Sequence, residues 1–247
     1  MRLEGGGTVV RCWTLGAGRR TMTMYKKFMT VAASTLACAG LASASPFQGV
    51  SIESLGDMGY GQTYRVFVHL DAGTRIDAVF GNSIAALSIG PANGMSFYQN
   101  SYGGPTSTST NSDFFLLAPS LEWDSYVTIG ALYANGSPFS GNELMDIGID
   151  WGSFNAGGSV ETDNGSWFIT PADAQGEELF GSVLIGQFTV VGGTGNGYHD
   201  VVMQFNLQGK DADGVTWQAY NVGQFIPAPG VLALLGLAGF AGRRRRR

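Results

Sequence analysis

Residues 62–70 alternate apolar and polar side chains with period two. Tyr64, Val66, Val68 and Leu70 fall on one face and Thr63, Arg65 and His69 on the other, with Phe67 the one apolar residue on the polar side. A strand with one buried face requires this alternation, because successive side chains point to opposite sides of a sheet. Short runs of the same kind recur at 75–80, 85–89, 95–99, 114–117, 126–132, 146–151, 166–170, 182–191, 198–207 and 215–222. Between them lie clusters of Gly, Asn, Asp, Ser and Pro, which supply the backbone angles and local hydrogen bonds of antiparallel turns. Residues 171–179 have the composition of a helix start, and the stretch is brief. The pattern predicts an all-β domain over residues 45–225, an antiparallel β-sandwich with a jelly-roll-like alternative. The absence of a repeat of roughly 20–50 residues argues against a propeller or solenoid. The polar loop 103–111 is too short to separate two domains.

The two ends follow other patterns. Residues 1–23 are Gly-rich with scattered Arg and no apolar period, and read as a disordered leader or a misassigned start. Residues 24–44 have the three parts of a signal peptide: Lys26 and Lys27, an apolar run over 28–41 that predicts a short signal helix, and small residues at Ala42 and Ala44. Cleavage by signal peptidase is expected after Ala44. A lipoprotein reading through Cys38 would need a leucine-like residue where Thr35 stands. Both cysteines, Cys12 and Cys38, precede the expected cut, so the mature chain has no disulfide, thiolate nucleophile or thiolate metal ligand.

Charge divides the chain in the same places. Between the ends, only Arg65, Arg75 and Lys210 stand against 18 of the 19 acidic residues. A body this acidic opposes binding to nucleic acid or anionic lipid, and favours solubility, salt tolerance or cation binding.

Residues 226–247 form a tail in three parts: Pro227, Ala228 and Pro229; an apolar stretch over 231–242; and Arg243, Arg244, Arg245, Arg246 and Arg247. The prolines end the preceding strand, having no N–H and a fixed φ. The twelve residues 231–242 would make a helix of roughly 18 Å at about 1.5 Å per residue, short against a hydrocarbon core of ~30 Å. The arginines would stay cytoplasmic, stopping transfer with the body outside. A weak, transient inner-membrane span suits a segment meant for removal, whereas a plain C-terminal anchor would be retained.

This tail resembles the PEP-CTERM sorting signal recognised by exosortases, with Ala228 where that signal carries glutamate. The resemblance implies export, cleavage near Pro227–Pro229 by an exosortase-like enzyme, and delivery to the cell surface or extracellular matrix. Within the body, Thr63-Tyr64-Arg65-Val66, residues 120–130 and Asn164-Gly165-Ser166-Trp167 resemble a group of exported PEP-CTERM-type proteins that offers no activity to carry over. The strand pattern is also similar to that of cohesin-like sandwiches, a likeness of fold alone.

Chemistry-bearing patterns in the body are sparse. Neither a Gly-x-Ser-x-Gly elbow nor a cysteine is present; of the two histidines, His69 reads as an exposed strand residue and His199 as structural. The run 192–197, Gly-Gly-Thr-Gly-Asn-Gly, lies between two predicted strands and reads as a hairpin loop, with His199-Asp200 opening the next strand. Asp211 and Asp213, in Asp-Ala-Asp-Gly, are the nearest approach to a Ca²⁺ loop but lack its distal glutamate, and a hairpin turn accounts for them. Asn135-Gly136-Ser137 and Asn164-Gly165-Ser166 read as Asn-Gly turns. Trp123, Trp151, Trp167 and Trp217 are core residues or, on an exposed strand, platforms for sugar rings. The expectation is therefore a non-enzymatic surface or matrix protein without a cofactor. The alternatives are a carbohydrate-binding or adhesive module meeting extracellular polysaccharide and, behind it, a secreted glycoside hydrolase using two acids.

Overall fold

The computed structural model describes residues 45–223. The signal-peptide positions Ala42 and Ala44, the motif Pro227, Ala228 and Pro229, the arginines 243–247 and both helices expected at the ends lie outside the described residues.

The described chain is mostly β, in two antiparallel sheets. The first contains β1 (Phe47–Asp57), β2 (Gln62–Leu70) and β10 (Ser182–Val191) in that order. Beyond β10, two short strands share its far edge: β5 (Ser96–Phe97) pairs with Val190 and Val191, and β6 (Tyr126–Val127) with Gly186 and Gln187. The second sheet is organised on β11 (Val201–Lys210), with β12 (Thr216–Val222) paired to its C-terminal half. On the opposite edge, β3 (Arg75–Gly81) and β4 (Leu87–Pro91) run end to end, β3 beside residues 206–210 and β4 beside 201–204. Outside these lie β9 (Gly165–Phe168) against β3, β8 (Val160–Thr162) against β4, and β7 (Met145–Ile147) on β9.

The sheets face each other across one apolar core, a sandwich-like arrangement. Tyr64, Val66, Val68 and Leu70 of β2 meet Ile76, Val79, Leu87, Ile89, Phe205 and Leu207 of the second sheet, as the period-two pattern requires. Trp167 is completely buried between them, and its indole N–H donates to the Thr128 carbonyl at 3.1 Å.

Several runs differ from expectation for local reasons. β1 has no clean alternation in sequence because its register shifts near Gly49 and again near Gly56, moving later residues to the other face. Residues 114–117 are not a strand. The Asn111 side chain accepts from the Asp113 N–H, and the Leu117 and Ala118 N–H groups both turn back to the Phe114 carbonyl, leaving Phe114, Leu116 and Leu117 exposed. The run 126–132 is a strand only at Tyr126 and Val127, and 171–179 contributes one 3₁₀ turn over Ala174–Gly176.

The glycine run 192–197 is not a hairpin loop. It crosses from β10 in the first sheet to β11 in the second, so the strands it joins are not paired with each other. A one-turn helix, Gly197–Asp200, intervenes before β11, which makes His199 and Asp200 a helical turn and not a strand opening. Gly197 passes so close to the core that a Cβ there would lie 2.3 Å from Ile52 Cγ2. Asp200 fastens the crossover: fully buried, it accepts from the Tyr64 hydroxyl at 2.5 Å, the Thr194 N–H at 2.5 Å, the Thr194 hydroxyl at 2.7 Å and His199 Nδ1 at 3.0 Å.

Candidate functional site

The outer face of the first sheet is where the body departs from a plain sandwich. Thr63, Arg65, Phe67 and His69 project outward from β2, and Thr189, Gln187 and Leu184 stand opposite three of them on β10. An ordinary outer face would be wet, yet Thr63, Gln187 and Thr189 are completely buried. The cover is the long excursion between β5 and β7. Gln187 Nε2 donates to the carbonyls of Glu122 and Asp124 at 2.8 and 3.1 Å, the Thr189 N–H donates to Ser125 Oγ at 2.9 Å, and the Thr63 and Thr189 hydroxyls bond each other at 2.8 Å.

Where the cover ends, a groove of about 320 Å³ remains open. Its floor is Arg65, Phe67 and Leu184; one wall is Leu132, Pro138 and Phe139, and the other is Glu177, Leu179 and Phe180. The volume is at the lower end for a small-molecule site, and the lining is of the usual kind, apolar with few polar groups.

Two features of the groove run against sequence economy. The first is Phe180. The Leu179 and Ser182 backbones bond each other in both directions, at 2.9 and 3.2 Å, and the two residues between them, Phe180 and Gly181, have φ of 55° and 80°. Positive φ at both central positions is the requirement of a type I′ turn, which favours Asn or Gly. A phenylalanine there is strained, and its side chain stands fully exposed at the groove's mouth. The second is Arg65. Its Nε donates to Gln187 Oε1 at 3.1 Å, and its guanidinium lies against the Tyr133 hydroxyl. Among the described residues Arg75 pairs with Asp77 and His199 meets Asp200, and half-buried Arg65 makes no ion pair with a carboxylate.

The cover is itself tied down by a buried acid. Asp124 accepts from the Asn100 N–H at 2.6 Å and the Gly104 N–H at 3.2 Å, and Gly103 passes so near that a Cβ would lie 1.8 Å from Asp124 Oδ2. The Gly103-Gly104 pair that opens the polar loop is thus a close approach of backbone to carboxylate. Burial pushes the Asp124 carboxyl up from 3.8 to about 7, against the pull of the N–H groups of Asn100, Ser125 and Gly104. The folded state therefore holds the proton more tightly than the unfolded one between those values. The resulting stability is complete below about pH 4 and is lost as pH rises from about 4 to about 7. Urea midpoints measured across that window should decline for the wild type and flatten for Asp124→Asn; parallel slopes would rule this out.

The residues singled out in sequence do not converge. His69 is half-buried, not exposed, and bonds Ser51 Oγ at 2.7 Å on the sheet face away from the core, while His199 Nδ1 meets Asp200 Oδ1 at 3.0 Å. Asp211 closes the β11–β12 hairpin, its Oδ1 accepting from the N–H groups of Asp213 and Val215 at 3.0 and 2.8 Å. Among the described residues no group of three His, Cys, Asp or Glu is placed to hold a metal ion. Trp167 and Trp217 are buried, and Trp123 and Trp151 half-buried, Trp151 donating to Asp146 Oδ1 at 3.1 Å. The groove itself was missed. Its one signal in sequence was Arg65 with Phe67 on the outward face of β2, an apolar residue where water was expected.

The fold defines a mostly-β protein of two antiparallel, sandwich-like sheets whose outer face carries an apolar groove with one arginine. No family model, curated protein or solved structure matches the chain. Among the described residues no helix is long and apolar enough to cross a membrane.

Proposed function

We propose that the chain is an exported, non-enzymatic cell-surface or extracellular-matrix protein, sorted through its C-terminal tail and trimmed there by an exosortase-like enzyme. The observation that carries the reading is the order of the tail: Pro227-Ala228-Pro229, a twelve-residue apolar stretch, then Arg243 to Arg247. The signal-peptide pattern at the other end and a body without cysteine, closed by its own apolar core, agree with a protein that folds after export. Within this reading the body is a β-sandwich module, and the tail holds it at the inner membrane only in transit.

Two alternatives make different demands on the body. Stacking on polysaccharide needs open indole faces, and none of the four body tryptophans is fully exposed. Hydrolysis of a glycoside needs two facing carboxyl groups; the groove beside Arg65 is lined by one, Glu177, and Glu161 and Asp163 line a separate shallow groove.

Mass spectrometry of the protein recovered outside the cell tests the reading. The expected mature chain starts at Ser45 and ends near Pro227–Pro229; one that still ends at Arg247 would overturn tail processing.

A further inference from the structure

Arg65 is an anomaly of charge. The body has three basic residues among its many acids. Arg75 is spent on Asp77 at 2.6 Å and on the carbonyls of Thr170 and Asp173, and Lys210 reaches the Gly214 carbonyl beside its own hairpin. Arg65 alone of the three is placed on a groove floor. The acids around it are Glu53, in register beside it on β1 but exposed to solvent, Glu122 in the cover and Glu177 on the groove wall. None of them makes an ion pair with it. A half-buried guanidinium is strongly stabilised by a carboxylate that meets its fork of N–H donors, and leaving it without one is costly.

The surroundings narrow what could meet it. Phe67, Leu132, Phe139, Leu179, Phe180 and Leu184 offer an apolar slot next to the cation. Below, the Tyr126 hydroxyl is fully buried without a hydrogen-bond partner, in the cluster where Arg65 and Tyr133 meet. The strained turn that holds Phe180 at the mouth makes sense if its ring closes over something apolar, since nothing among the described residues covers it.

We propose that this groove binds a small amphipathic carboxylate, an apolar molecule whose carboxylate supplies the counter-ion that no carboxylate among the described residues gives Arg65. The apolar part lies along Phe67 and Leu184 between Phe139 and Phe180, and the carboxylate meets the guanidinium. The chemistry is shared by a free apolar acid and by the C-terminal carboxylate of a peptide ending in an apolar residue. The site is independent of the tail, so its failure would leave the export reading untouched, and tail processing can fail without bearing on it.

Equilibrium dialysis of the full chain against 4-phenylbutyrate and against 4-phenylbutan-1-ol tests it, because the two probes share a skeleton and differ in charge. The acid is expected to bind about 10-fold tighter than the alcohol. Arg65→Gln should bring the acid down to the alcohol and leave the alcohol unchanged. Phe180→Asn, which suits the turn and keeps the fold, should weaken both by about threefold through lost apolar contact. Acetyl-leucyl-phenylalanine as free acid and as amide distinguishes the sources: a peptide acid tighter than phenylbutyrate assigns a chain terminus, and the reverse order a free acid. Equal binding of acid and alcohol, or acid binding that neither substitution alters, overturns the proposal.

Discussion

Asp200→Ala is expected to destabilise the folded protein by about 4 kcal/mol, the largest effect of any single polar substitution in the body. The carboxylate is completely buried and accepts four hydrogen bonds, from Tyr64, from the backbone and side chain of Thr194, and from His199. Truncation removes all of them and leaves the Tyr64 hydroxyl buried in the core without an acceptor, a desolvated donor that costs about 1–3 kcal/mol by itself. It also unfastens the crossover 192–197, the connection that carries the chain from one sheet to the other. Burial alone would raise the Asp200 pKa, but hydrogen bonds from Tyr64, Thr194 and His199 outweigh it and lower it from 3.8 to about 2. A depressed carboxyl stabilises the fold above its unfolded value, so this contribution is present above about pH 4 and is lost as pH falls toward 2. It amounts to about 2 kcal/mol. Urea unfolding followed by tryptophan fluorescence, repeated from pH 5 to pH 2, measures both effects. A loss below about 1 kcal/mol for Asp200→Ala at pH 5 would show that the crossover is held by packing instead.

Asn206→Ala is expected to cost about 3 kcal/mol, for a different reason. β3 and β4 lie end to end along β11, and residues 82–86 interrupt the ladder between them. In the gap the Ala85 carbonyl accepts from the Asn82 N–H at 3.0 Å, a local turn in place of a ladder bond. Asn206, fully buried on β11, fills the gap: its Nδ2 donates to Phe80 O at 2.9 Å and to Ala85 O at 2.7 Å, while its Oδ1 accepts from the Asn221 N–H at 3.0 Å. One amide side chain thus joins three strands. Alanine would take a partner from Phe80 O and from the Asn221 N–H and leave Ala85 O with the Asn82 N–H alone, at about 1 kcal/mol for each bond lost. Asn206→Asp should be no rescue, because it points a charge at two carbonyls. The local signature is faster exchange of the Asn221 amide; protection at wild-type level, with stability unchanged, would assign the gap to ordered water.

These two residues mark the boundary of what could be read in advance. Asn206 sits on the run 198–207, where an asparagine between Phe205 and Leu207 looks like an ordinary outward polar residue in the alternation. Its burial follows from the break between β3 and β4, which is a fact about pairing and not about the local pattern. Asp200 looked like half of a His-Asp pair opening a strand. Its partner in the core, Tyr64, lies 136 residues away in sequence, and no spacing rule reaches that far. The groove was invisible for the same reason, since its floor, its cover and the Phe180 turn come from separate stretches of chain that meet only when the cover folds over the first sheet. The strand period was legible where one face is buried and the other wet, as on β2. It failed on β1, where bulges shift the register, and at 114–117, where local hydrogen bonds to Asn111 and Phe114 hold an apolar run in turns.

What the sequence by itself determined is the all-β character of the body, the inward face of β2 and the Asp211 hairpin, because period and turn chemistry are local and a handful of neighbouring residues specify them. The tail and the signal-peptide pattern are likewise local, and the proposal of export rests on them. Only the tertiary structure decided that residues 192–197 cross between sheets, that the outer face of the first sheet is covered, and that Arg65 lies beside an apolar slot with no ion pair among the described residues. Each of these depends on which strands pair and which segments pack together, and burial and hydrogen bonding between distant residues set that choice.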